Sequence, residues 1–201
     1  MKALLIIDMQ NDFMPGGSLA VMHADVIIPI INRLMDIFEN IYATKDWHPK
    51  NHISFASVHN KNINEEIVVN DIIQRLWPEH CIQNTEGAKI VSGININKID
   101  KIFYKGSDEG VDSYSAFFDN NHERSTELDS FLKEKGIKDV YLVGVATDYC
   151  VKFSALDALG LGFNVYIIKD ACMPVDEDKE EQVLLELEKK GIQIILSKDV
   201  F

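Results

Sequence analysis

The chain has 201 residues, 46% of them hydrophobic and 26% charged, which suits a protein with a core large enough to sustain one domain. Its formal charge of -12 excludes the basic surface that nucleic acids and anionic membranes require, and the partner expected is a small molecule. No apolar run is long enough to span a bilayer, and three cysteines without C-x-x-C spacing indicate neither a disulfide framework nor a thiolate zinc site, so a cytoplasmic location is expected.

In chain order, residues 2–7 form an apolar run that reads as a buried strand, with Asp8 at its carboxyl end and a turn-rich loop from Met9 to Leu19 behind it. The amphipathic spacing of Ile27, Ile28, Ile31, Leu34, Met35 and Phe38 predicts a helix over 24–38. A second strand, 40–45, leads to Asp46 and a loop that also carries His48 and His52. The segment 58–74, rich in Asn and Glu, reads as a surface excursion with a short helix or a lid. After it, Leu76-Trp77-Pro78-Glu79-His80-Cys81 turns back toward the interior.

A third strand, 99–104, delivers Lys105, and the polar stretch after it contains Tyr114 in an apolar island. A helix over 127–135 stops at Gly136, and the strand 140–145 runs into a turn that opens a helix over 151–159, with Cys150 at the junction. On this reading Thr147 or Asp148 caps the helix, and the positive end of its dipole favours the Cys150 thiolate. A strand at 164–169, a helix at 177–190 and a last strand at 192–196 complete the pattern. Alternation of six strands with helices predicts an α/β protein with a parallel sheet covered on both faces, without linkers or repeats.

Such a sheet brings Asp8, Asp46, Lys105 and Cys150 to one edge, where open α/β sheets bind ligands. Asp8, Lys105 and Cys150 supply a base, a cation and a nucleophile, the three groups a thiol needs to attack an amide. Asp46, His48 and His80 offer one hard oxygen and two imidazoles, a donor set for a divalent transition ion, with His52 nearby. Phe13, Trp77 and Tyr114 are candidates to wall a flat aromatic ligand, while His23, His59 and His122 are read as surface residues.

Over nearly its whole length the sequence resembles the nicotinamidase/pyrazinamidase branch of the isochorismatase-like cysteine hydrolases. The motifs LLIIDMQNDFMPGGSL, DWHPKNHISFAS, LWPEHC, the lysine of FYKG and GVATDYCV occur in family order. The resemblance implies a three-layer α/β/α fold and a catalytic triad of Asp8, Lys105 and Cys150. It further implies an oxyanion hole from the backbone amides of Ala146 and Cys150, and a non-proline cis peptide at Val145-Ala146. One divalent ion per chain, zinc or alternatively iron or manganese, is implied on Asp46, His48 and His80. There it would orient a ring nitrogen, with His52 as a neighbour rather than a ligand. Phe13, Trp77, Tyr114 and Ala146 match the substrate pocket. The activity implied is hydrolysis of nicotinamide, and of pyrazinamide, to the acid and ammonia, in the service of NAD salvage. Isochorismatase itself is disfavoured because that branch lacks the cysteine and the metal trio. An amidase for carbamoyl or ureido compounds and a non-catalytic binding protein are the alternatives, and the chain is compatible with a homo-oligomer.

Overall fold

The structure, a computed structural model, describes residues 1–69 and 71–200; Asn70, within the predicted excursion, and Phe201, at the end of the predicted domain, lie outside the described residues. The six-stranded sheet consists of β1 (Lys2–Ile7), β2 (Ile41–Asp46), β5 (Lys101–Lys105), β6 (Asp139–Val145), β7 (Asn164–Met173) and β8 (Gln193–Ile195). It is parallel throughout, in the order β5-β2-β1-β6-β7-β8. Order reverses between β1 and β6, whose carboxyl ends carry Asp8 on one side and the Val145-Ala146 junction on the other.

β1 shows why the run is apolar on every residue. Ala3, Leu5 and Ile7 pack into one core with α2 (Leu128–Glu134), α3 (Lys152–Gly160) and α4 (Glu177–Lys189), while Leu4 and Ile6 pack into a second core with α1 (Ile28–Leu34). Side chains alternate across a strand, so a strand between two helical layers must be apolar on both faces. No helix among the described residues is long and apolar enough to cross a membrane.

Three expectations are corrected. Helix 24–38 shortens to α1, because Pro29 in its first turn supports initiation at Ile28; a 3-10 turn over Ala24–Ile27 precedes it. Among its described residues the excursion forms no α-helix. A 3-10 turn at Ala56–His59 is followed by an antiparallel hairpin, β3 (Glu66–Val69) with β4 (Ile72–Arg75), in which β-branched Val68 and Ile73 pair directly and stay exposed. The segment at the end of β6 is a tight π-type turn, Thr147–Val151, before α3, and neither Thr147 nor Asp148 caps a helix there. The Asp148 carboxylate instead accepts from the backbone N–H groups of Val175 and Asp176, at 2.8 and 3.1 Å.

Candidate active site

Asp8, Asp46 and Lys105 end a strand or follow it directly, and Cys150 lies in the turn a few residues beyond one. Asp8 leaves β1 with φ +48°, Asp46 and Lys105 end β2 and β5 as register partners, and Cys150 lies in the turn after β6. Gly144, at φ +114°, lets β6 pass close to Ile7, because a Cβ there would collide with the Ile7 backbone. The Val145-Ala146 peptide is cis.

The Lys105 ammonium is the hub of the buried polar centre. Nζ lies 2.9 Å from Asp8 Oδ2 and 2.5 Å from Asp46 Oδ1, donates to Ser113 O at 3.0 Å, and is 3.4 Å from Cys150 Sγ. Thr44 Oγ1 donates to Asp8 Oδ1 at 2.7 Å. Asp8 Oδ2 has only the ion-pair contact and no hydrogen bond of ordinary geometry, and the same carboxyl neighbours the Cys150 thiol. The carboxylate is therefore placed to receive a proton.

Electrostatics follows from burial. Desolvation opposes the Lys105 charge, but Asp46, Asp8 and Cys150 outweigh it and hold the pKa well above the lysine range. Desolvation raises Asp8, with Lys105 and Thr44 pulling it back, whereas at Asp46 the pull of Lys105 and His48 outweighs desolvation and holds that carboxyl below its usual range. Desolvation also pushes the Cys150 thiol well up, further than Lys105 lowers it, which overturns the expectation of a thiolate favoured by the helix dipole. The turn is π-shaped and the sulfur is buried, so burial opposes the thiolate, and Asp8 stands beside it as a candidate base.

Asp46 has a second role through its other oxygen. Oδ2 lies 3.6 Å from His48 Nε2 and 3.9 Å from His80 Nε2, and the three donor atoms are all within 4.8 Å of one another. Ligands about 2.1 Å from a tetrahedral ion stand about 3.4 Å apart, so this trio fits a divalent transition ion after a small contraction. Each ring is turned by its outer nitrogen: His48 Nδ1 donates to Gly106 O at 2.8 Å and His80 Nδ1 to Pro78 O at 2.8 Å. Gly106 is required beside His48, because a Cβ there would strike the imidazole. His52 stacks on His48 with centroids 4.0 Å apart, but its Nε2 donates to Val111 O at 3.3 Å and its Nδ1 accepts from Ser54 at 2.7 Å. Both nitrogens of His52 thus have protein partners, though His52 also stands with His48 and Asp112 in a second group of buried donors within 4.8 Å of one another.

Phe13, Trp77, Tyr114, Ala146, Cys150, Asp46 and His80 line one pocket. Sequence reasoning did not single out Tyr149, Asp112, Leu19, Val21 and Val175, which also line it, or two supports beneath it, Thr44 and Gln10. Gln10 is fully buried; its Nε2 donates to Asp46 O at 2.8 Å and Ala88 O at 3.1 Å, and its Oε1 accepts from Asp46 N at 2.8 Å. The signal for these supports was a polar residue within a strand, Thr44, or shortly beyond one, Gln10.

The isochorismatase domain family model matches residues 2–199. The chain belongs to the isochorismatase family. Within that family it is 44% identical over 200 residues to the nicotinamidase of Acinetobacter baylyi, covering 98% of this chain and 94% of that protein. Among solved structures it is similar to an Acinetobacter baumannii nicotinamidase/pyrazinamidase, with TM-score 0.96 and 46% identity over 100% of this chain and 98% of that one. It also resembles the yeast nicotinamidase bound to the inhibitor nicotinaldehyde, at TM-score 0.92 and 35% identity over 98% of this chain and 100% of that one. The zinc complex of the Pyrococcus horikoshii pyrazinamidase gives TM-score 0.80 and 39% identity over 97% of this chain and 98% of that one. This isochorismatase-family chain is a hydrolase with the three-layer α/β/α architecture.

Proposed function

We propose that this hydrolase, working as a single domain, converts nicotinamide to nicotinate and ammonia, accepts pyrazinamide as well, and supplies nicotinate to NAD salvage. The observation that carries the reading is the meeting of two groups in one aromatic-walled pocket: Asp8, Lys105 and Cys150 beside Asp46, His48 and His80. The names of the relatives at 44–46% identity support the same substrate.

Asp8 takes the proton from the Cys150 thiol as the sulfur bonds to the carboxamide carbon, and Lys105 keeps the charge balance between carboxylate and sulfur. The backbone N–H groups of Ala146 and Cys150 receive the developing oxyanion. The carbon–nitrogen bond then breaks, Asp8 returning its proton to the departing amine, so that ammonia leaves and a thioester remains on Cys150. Water attacks the thioester carbon, losing a proton to Asp8; the carbon–sulfur bond breaks, and the sulfur recovers that proton as nicotinate departs.

Asp46, His48 and His80 are the residues that would hold one divalent ion, zinc on the strength of the Pyrococcus relative, with iron or manganese as other choices. When bound, that ion supplies a Lewis-acid contact for the ring nitrogen and so orients the carboxamide. Phe13, Trp77 and Tyr114 restrain the ring; burial and the neighbouring His48 lower the His80 pKa to about 4, whereas Asp46 raises that of His48 against desolvation, so His48 is the ligand that would release a proton as the ion binds. The reading is tested by ammonia release from nicotinamide, with Cys150→Ala alongside. Release by the parent, with none from a variant that still binds nicotinamide, is expected; residual turnover in Cys150→Ala refutes the nucleophile.

A further inference from the structure

The inner pocket, about 40 Å³, opens past Tyr149 and Val175 into an outer groove of about 530 Å³. Arg75, the last residue of β4, lines the groove and not the pocket, yet it touches the pocket's walls. Its guanidinium lies 5.1 Å from the Trp77 ring centroid and lines the groove together with Tyr149, while Nε and Nη2 donate to Asn64 Oδ1 at 3.3 and 2.9 Å. Trp77 in turn packs edge-on against Tyr149 at 5.0 Å and donates from Nε1 to the Tyr114 hydroxyl at 3.0 Å. One half-buried side chain outside the pocket thus links the aromatic walls that close it.

The arm that presents Arg75 is fixed on both sides. The buried Gln74 side chain donates to Asp112 Oδ2 at 3.1 Å, and Leu76 N donates to Glu65 O at 2.8 Å, so the end of the hairpin cannot drift without disturbing the pocket lining. A planar fork that stacks on one ring and bonds in its own plane is a task for arginine rather than lysine.

We propose that Arg75 is a specificity-determining positioning residue that holds Trp77 and Tyr149 together across the pocket mouth and restricts the site to single-ring carboxamides. The proposal rests on the nicotinamide reading, in which the carboxamide faces Cys150 and the ring nitrogen faces Asp46. Those two residues share the pocket floor, each with a donor atom within 4.8 Å of the other. The ring carbon meta to both, C5, then points to the mouth, and a second ring attached there meets Trp77 and Tyr149.

The experiment compares the metal-loaded parent with Arg75→Ala, Arg75→Lys and Tyr149→Phe. It measures kcat/KM for nicotinamide and for 5-phenylnicotinamide, and the inhibition constant of the latter against nicotinamide hydrolysis. Arg75→Ala is expected to favour the two-ring amide over nicotinamide by roughly tenfold relative to the parent, the scale on which apolar pockets discriminate size. Tyr149→Phe moves selectivity the same way by less, and Arg75→Lys falls between parent and alanine. Unchanged relative constants in Arg75→Ala overturn the proposal, as does an equal loss for both amides, which marks general damage. Should Arg75→Ala fail to fold, the lysine and phenylalanine variants decide by the same criterion. A parent that releases no ammonia from nicotinamide removes the functional reading and this proposal together, whereas a parent that turns over with selectivity insensitive to Arg75 removes only the role of Arg75.

Discussion

Gln10→Ala separates packing from function at the support of the metal trio. The parent side chain makes three hydrogen bonds in a fully buried position, two of them to the backbone of Asp46. Alanine leaves one buried N–H and two buried carbonyls without that partner, and each stripped group costs about 1–3 kcal/mol, the N–H most of all because it has no second partner to share. The carbonyls keep their other lone pair for neighbours, so a total of about 2–4 kcal/mol of stability is expected. The backbone of Asp46 then loses its register against the histidines, and a lost outer support of this kind lowers metal affinity by about 10–100-fold. Zinc affinity is read by competition with a chromophoric chelator, and stability by thermal melting of metal-loaded and metal-free protein. Reduced stability with parental zinc affinity and parental kcat/KM would refute the positioning argument and leave Gln10 as a core filler.

Thr44→Val removes the hydroxyl that donates to Asp8. Asp8 is already raised by burial, and this hydrogen bond opposes the rise, so its loss moves the acid limb of the kcat/KM profile to higher pH; Thr44→Ser holds it in place, and an unmoved limb in the valine variant contradicts the base assignment. Gly144→Ala drives a Cβ into the Ile7 backbone at a left-handed φ and should cost at least about 2 kcal/mol, seen as a lower Tm; an unchanged Tm would show that β1 and β6 separate easily. His52→Gln is expected to leave about one zinc per chain by elemental analysis, since both ring nitrogens are committed elsewhere, and a fall toward zero would make His52 a ligand. Chelation of the ion should abolish nicotinamide turnover and zinc should restore it; full activity after verified removal would exclude the orienting role.

The sheet was legible because a strand between two helical layers is apolar on both faces, a run seen plainest in β1 and in residues 140–145 of β6. Asp8, Asp46, Lys105 and Cys150 could be placed on one edge because each follows or ends such a run. The hairpin was not legible, since Val68 and Ile73 face solvent as a pair and the surrounding Asn and Glu residues mask the alternation. Nor were Gln10 and Thr44, whose value lies in contacts 36 residues away in the chain. The Cys150 expectation failed for a related reason: a helix-terminus argument uses local geometry, while the thiol answers to burial and to Lys105, Asp8 and Asp46 from other strands.

Asp46 spends one oxygen on Lys105 and the other on His48 and His80. On the proposed function, the orienting half and the bond-breaking half of the pocket therefore share a single carboxylate as a common rail. Any replacement at this position disturbs both halves at once, and a lengthened side chain that restores one contact displaces the other. Divergence toward a new substrate is channelled away from this residue and into the walls, where Tyr149, Leu19, Val21 and Val175 can vary without breaking the rail.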